Sequence, residues 1–265
     1  MGAGLSPLDQ HLSGLAAALL PYRQVADRLS GWGAELARTL ANGGRLLVAG
    51  NGGSAAEAQH LTAELVGKLR DDRQPLSAIA LHAETSAVTA IGNDYGYDEV
   101  FARQVRAHGR KNDILLLMST SGASTNLLRA VDAARQTGLR CWAFTGPTPN
   151  PLAEACHDVL AVPSPDSQVV QELHLVSLHL LCEYVDEVLP VVRQLPRAAA
   201  PRPRSAVPDR LPAGADGREL AVVNGYPRNG HGPSGAALNG HGANGHGPDG
   251  SGPTGPRPGR RGCPS

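Results

Sequence analysis

Five short apolar runs, each followed by a helical pattern, constrain this chain more than any other feature. They are RLLVAG (45–50), SAIAL (77–81), DILLLM (113–118), RCWAF (140–144) and DVLAV (158–162). A strand that is apolar at nearly every position has no face to offer to water, so its sheet must be covered on both sides. The segments between the runs are too long for hairpins and suit crossover helices. Together these features predict an α/β fold: a three-layer αβα sandwich around a five-stranded parallel sheet, wound in both directions. Ligands of such sheets bind beyond the carboxyl ends of the strands.

Helices precede and close this unit. Leu12, Leu15, Leu19, Val25, Leu29 and Leu36 recur at helical intervals on either side of Pro21, which predicts one kinked helix or two over residues 6–41. An apolar stripe ahead of the first strand needs a surface to cover, and a second subunit supplies one. The last helix, over residues 167–190, carries Val169, Leu173, Val176, Leu180 and Val185 and is expected to stop before Pro190. Residues 1–195 thus form one domain. From 196 to 265 Pro, Gly, Ala, Asn and Arg dominate without hydrophobic periodicity, and this tail is expected to be disordered. Its His-Gly units, at 231–232, 241–242 and 246–247, carry no assigned site.

The formal net charge is zero, so no broad field attracts nucleic acid or an anionic membrane, and a small molecule is the expected partner. Cys141, Cys156, Cys182 and Cys263 form no CxxC pair and read as reduced thiols. The N-terminus lacks a signal-peptide pattern and the sequence has no apolar run long enough to span a bilayer, which places the protein in the cytoplasm as an expectation.

Two loops stand at the predicted ligand-binding edge. Asn51-Gly52-Gly53-Ser54 follows the first strand; its glycines let a ligand approach the backbone, and Ser54 can cap the next helix. The loop matches neither GxGxxG nor a P-loop, and a structural turn of this composition accounts for it equally well. STSGAST (119–125) follows the third strand and surrounds Gly122 with the hydroxyls of Ser119, Thr120, Ser121 and Ser124 where a helix over 124–137 begins. Hydroxyls and free amides at a helix start suit a phosphate monoester, and there are more hydroxyls here than one helix cap uses.

Potential chemical groups cluster on two helices. His60 and Glu64 stand four residues apart and share a helical face, which lets both reach one metal ion or one substrate. On the last helix, Gln171 and His174 form the natural close pair, whereas Gln171 and His179 stand roughly 12 Å apart along an ideal helix. By spacing, then, His174 is the better partner.

GNGGSAAEAQH, IGNDYGYDEVF, STSGAS and QELHLVSLH, in that order, resemble the motifs of the phosphoheptose isomerases, members of the sugar isomerase (SIS) domain superfamily. The resemblance spans the first helix to about residue 190 and implies a flavodoxin-like SIS fold. It implies conversion of D-sedoheptulose 7-phosphate to D-glycero-D-manno-heptose 7-phosphate through a cis-enediol, a step in heptose biosynthesis. It implies one Zn2+ per subunit on His60, Glu64, Gln171 and His179, with Glu64 and His179 as the acid-base pair. Substrate contacts are expected on Asn51, Gly52, Gly53, Ser54, Glu64, Asn93, Asp94, Ser119, Thr120, Ser121, Ser124 and Gln171, and the subunits are expected to form a tetramer. His174 is left as a helix-face or interface residue, and Asn93-Asp94 read by residue type as a polar turn. Some SIS relatives bind phosphosugars, or associate with a replication initiator, without isomerase chemistry; the retained His60, Glu64, Gln171 and His179 favour the enzyme.

Overall fold

The computed structural model describes residues 6–194, so the expected tail at 196–265 lies outside the described residues. Helix α1 (Pro7–Ala26) starts where the Ser6 hydroxyl accepts the Asp9 amide at 3.1 Å, with Pro7 in the first turn, where its missing N–H costs nothing. Two helices are indeed present, but the break falls at 27–28 rather than at Pro21, which lies inside α1. The chain is held on both sides of that proline: Tyr22 is buried and its hydroxyl meets Ser177 Oγ at 2.9 Å. Helix α2 (Leu29–Ala41) buries Leu29, Trp32, Leu36 and Leu40.

The sheet follows as β1 (Leu46–Gly50), β2 (Ala78–Ala80), β3 (Ile114–Ser119), β4 (Arg140–Thr145) and β5 (Asp158–Ala161). Every pairing is parallel, in the order β2-β1-β3-β4-β5. Alternate strand residues point to opposite layers. Leu46, Val48, Ile114, Leu116, Met118, Trp142 and Phe144 enter one core; Leu47, Ala49, Leu115, Leu117, Cys141 and Ala143 enter the other. The first core is closed by α2, α3 (Gly53–Val66) and α8 (Ser167–Gln194). The second is closed by α5 (Val100–His108), α6 (Thr125–Thr137) and α7 (Pro151–Ala155). Helix α4 (Thr85–Tyr95) lies between β2 and a 3-10 turn at Tyr97–Glu99. Both tryptophans pack: Trp32 stacks on Trp142 at 4.6 Å between ring centres and donates Nε1–H to Asp158 at 2.6 Å.

Helix α8 continues through Pro190 to Gln194, past the expected stop. A proline removes one intrahelical bond and crowds the carbonyl four residues back; burial of Val185 and Leu189 in the stretch leading into Pro190 keeps the helix on the core.

In this strand order the chain turns one way from β1 to β2 and the other way into β3, so the loops after β1 and β3 diverge and leave a crevice. The two Gly- and Ser-rich loops flank that crevice.

Candidate functional site

At the β1 edge, helix α3 begins two residues earlier than a Ser54 cap would require. Gly52 occupies the cap position without a side-chain bond, and Ser54 is a buried residue of the first turn. The bare backbone of Gly53 makes room for another helix: a Cβ there would sit 2.6 Å from Gln171 Oε1. The amide of Gln171 therefore rests against the first loop.

In the second loop, Ser119 Oγ accepts the Gly122 amide at 3.0 Å and Ser121 Oγ accepts the Ala123 amide at 3.3 Å. Ser124 is the N-cap residue of α6 yet makes no side-chain cap bond. The loop is thus held by its own serines, with the Ser124 hydroxyl left over at a helix N-terminus, a combination suited to an anion. Gly122 has φ +62°, and a Cβ there would overlap the Asn150 side chain, which itself caps α7 by accepting the Ala153 amide at 2.9 Å.

The two loops are tied together by a residue that no sequence pattern singled out. Asn51 Nδ2 donates to Asn126 Oδ1 at 3.0 Å, and Asn126 Nδ2 donates back to Asn51 Oδ1 at 2.9 Å. Tyr97 adds a hydroxyl bond to Asn51 Oδ1 at 3.2 Å. Asn93 and Asp94 are not in a turn; they are exposed in the last turn of α4, where Asn93 Nδ2 donates to Asp94 Oδ1 at 2.8 Å. The helix extends because Glu84 caps it, accepting the Ser86 amide at 3.2 Å, and because the chain reverses only at Gly96, with φ +87°.

Helices α3 and α8 lie side by side in one core, and their polar residues meet in order. Gln171 meets Gly53, His174 meets Glu57, and His179 meets His60. His60 Nε2 is 3.0 Å from His179 Nε2 and 3.3 Å from Glu64 Oε1, and ligand atoms of the three residues all lie within 4.8 Å of one another. Tetrahedral zinc with bonds of about 2.0–2.1 Å holds neighbouring donors roughly 3.3 Å apart. The donor set, with its two closest spacings near that value, could hold one metal ion. His174 lies outside this cluster: it is fully buried, with Nε2 3.2 Å from the Thr145 carbonyl, and so is not the surface histidine its helix position suggested.

A SIS domain profile matches residues 21–146. The phosphoheptose isomerase of Streptomyces coelicolor is 60% identical over 183 residues, covering 69% of this chain and 79% of that protein. The chain belongs to the phosphoheptose isomerase family. Solved structures of family members agree in fold. The enzyme from Neisseria gonorrhoeae is 40% identical with a TM-score of 0.63, covering 68% of this chain and 97% of that one. The enzyme from Francisella tularensis is 36% identical with a TM-score of 0.61, covering 69% of this chain and 100% of that one.

Within this family frame, Asn126, Tyr97 and Asn150 are the site residues that sequence reasoning missed. Tyr97 stood inside a quoted motif, whereas Asn126 and Asn150 had no signal beyond residue type. Another unheralded contact is His11 Nε2 to Glu172 Oε1 at 2.7 Å, which fastens α1 to α8 next to Gln171.

Proposed function

We propose that this phosphoheptose isomerase interconverts D-sedoheptulose 7-phosphate and D-glycero-D-manno-heptose 7-phosphate, with Zn2+ held by His60, Glu64 and His179. The observation that carries the reading is the two-histidine, one-carboxylate cluster that α3 and α8 bring together, with α3 beginning at the phosphate-suited crevice. Ser119, Thr120, Ser121 and Ser124 hold the phosphate through hydroxyls and the first amides of α6. Asn51, Gly52, Gly53, Ser54, Asn93, Asp94 and Gln171 take the sugar hydroxyls.

Moving a proton between C1 and C2 requires a base for the carbon proton and a second group for the oxygen protons. Glu64 removes the C1 proton of the ketose and returns it at C2. His179 moves the proton between the two oxygens. When bound, zinc polarises the carbonyl and hydroxyl oxygens and offsets the negative charge that develops on them. Only one carboxylate oxygen of Glu64 is needed at His60, which leaves the other for the carbon proton. Gln171, implied for both metal and substrate, has its amide against Gly53, about 10 Å along α3 from His60. That placement favours the substrate role, and a change of side-chain rotamer is needed for the metal role.

The chain is proposed to work in the cytoplasm as a homotetramer. Leu8, Leu12, Leu19 and Leu20 are exposed along α1, an apolar stripe that a neighbouring subunit would cover. Among the described residues no helix is long and apolar enough to cross a membrane. The deciding experiment incubates the purified, zinc-loaded chain with sedoheptulose 7-phosphate in D2O and follows the sugar by NMR. An aldoheptose phosphate bearing deuterium at C2 supports the reading. Tight binding of the sugar with neither product nor exchange would make the chain a phosphosugar-binding protein instead.

A further inference from the structure

His174 lies outside the three-residue cluster but touches each structure that positions it. The ring is fully buried, 5.6 Å from the Phe144 ring. Nε2 stands 3.2 Å from the carbonyl oxygen of Thr145, the last residue of β4. A carbonyl can only accept, so Nε2 carries the hydrogen. That leaves Nδ1 facing Glu57 Oε2 at 3.8 Å, and both atoms are buried without a hydrogen-bond partner. A bare lone pair facing a carboxylate across that distance is repulsive, whereas a proton on one of the two atoms makes the contact attractive.

We propose that His174 is a positioning residue which, by pairing its Nδ1 with Glu57 Oε2, holds the His60/Glu64/His179 cluster in register with the phosphate loop. The inference rests on the isomerase reading above. Three placements support it. Glu57 precedes His60 by three residues on α3, so fixing Glu57 fixes the helix that carries the cluster. His174 lies between Gln171 and His179 on α8, so the same pairing sets how far α8 can slide along α3. On its other side the ring grips the end of β4, where a Cβ on Gly146 would come 2.2 Å from the Thr120 carbonyl; the end of β4 is therefore packed against the Ser119–Ser124 loop.

The test uses the full zinc-loaded chain with Glu57→Ala, Glu57→Gln, His174→Asn and the Glu57→Ala/His174→Asn double variant. Loss of the tie is expected to lower kcat roughly 10- to 100-fold in Glu57→Ala and His174→Asn, the scale seen for outer-shell partners, with KM much less affected. Glu57→Gln is expected to recover most of the turnover, because its amide can donate to Nδ1. The double variant should be no worse than the poorer single one, since the two residues act as a unit. Nitrogen NMR without substrate should show hydrogen on both ring nitrogens of His174 in the parent and on Nε2 alone in Glu57→Ala. A parent His174 with a bare Nδ1, equal impairment of Glu57→Ala and Glu57→Gln, or losses that multiply in the double variant would each overturn the proposal. If the parent does not isomerise the sugar, the isomerase reading fails on its own, and the nitrogen spectrum still decides whether Nδ1 carries the proton that pairs it with Glu57.

Discussion

Replacing Asn126 with Ala cuts the only reciprocal side-chain link described between the two loops of the crevice. Two hydrogen bonds disappear, at 2.9 and 3.0 Å, from a residue that is only 3% exposed. Each neutral bond contributes about 0.5–1.5 kcal/mol net, so the fold should lose roughly 1–3 kcal/mol. In a domain of this size 1 kcal/mol shifts the melting midpoint by about 2–4 °C, giving an expected fall of roughly 2–12 °C. Asn51 would keep only its Tyr97 bond, and the β1 loop would no longer be spaced from the phosphate loop. Phosphosugar affinity should therefore fall as well, about tenfold for each 1.4 kcal/mol of lost preorganisation. Asn126→Asp separates the two effects. It still accepts from Asn51 Nδ2 but cannot donate to Asn51 Oδ1, and it places a buried negative charge beside the phosphate. It should melt closer to the parent than Asn126→Ala does while binding phosphosugar more weakly. Thermal unfolding and calorimetric titration measure the two quantities. An Asn126→Ala variant with unchanged midpoint and unchanged affinity would refute the reasoning.

Glu64→Gln should abolish isomerisation and keep much of the phosphosugar affinity, because the amide cannot take the carbon proton while the phosphate is held by the β3 loop; NMR turnover and calorimetry check both halves. Ser124→Ala should weaken phosphosugar binding by roughly 1.5–3 kcal/mol, the cost of one hydrogen bond to a charged group, with little change in melting since Ser124 makes no cap bond. Burial pushes the Cys141 thiol up to about 11, and burial with neighbouring charge pushes Cys156 and Cys182 up to about 12. In a Cys263→Ser background the native protein should therefore react with a thiol reagent at pH 8 far more slowly than the urea-unfolded chain. Burial also lowers the pKa of His82, whose two ring nitrogens have no partner. The unfolded chain then takes up the proton first, so stability present above the ordinary histidine value of about 6.5 is lost as pH falls toward the folded value. Urea midpoints at pH 7.5 and 5.0 should differ less in His82→Asn than in the parent.

The sheet was legible because two-sided burial leaves a signal in every strand residue: each of the five apolar runs became a strand with each bound shifted by one position at most. The loop after β3 stood out as a candidate anion site for a related reason, since several hydroxyls around one glycine exceed what a cap uses. Proline misled at both ends of the chain. Pro21 and Pro190 each weaken a helix locally, but Tyr22 against Ser177 and the burial of Val185 and Leu189 hold those turns in place, and such contacts are invisible in a local window. Asn93-Asp94 failed in the same way, because their turn-forming preference yields when a capped helix continues to the next glycine. Asn126 carries no periodic or motif signal, and its role exists only once β1 and β3 are neighbours.

The choice between His174 and His179 shows which geometry governs the site. Along one helix, three-residue spacing favours pairing His174 with Gln171. The structure instead pairs residues between two helices, Gly53 with Gln171, Glu57 with His174 and His60 with His179, so the relevant register is interhelical. From Gly53 to His60 the ladder runs about 10 Å along α3. Its first rung lies beside the loop tied to the start of α6, and its last rung is the cluster with two histidines and a carboxylate. A substrate that carries its charge at one end and its reacting carbons at the other matches this layout, provided the chain between them is long enough to reach. A preference for a seven-carbon phosphate is the outcome this layout leads one to test. Shorter ketose phosphates should bind through the same serines and turn over more slowly, and a comparison of kcat across five-, six- and seven-carbon ketose phosphates would show it; equal turnover for all three would mean that the ladder does not measure the substrate.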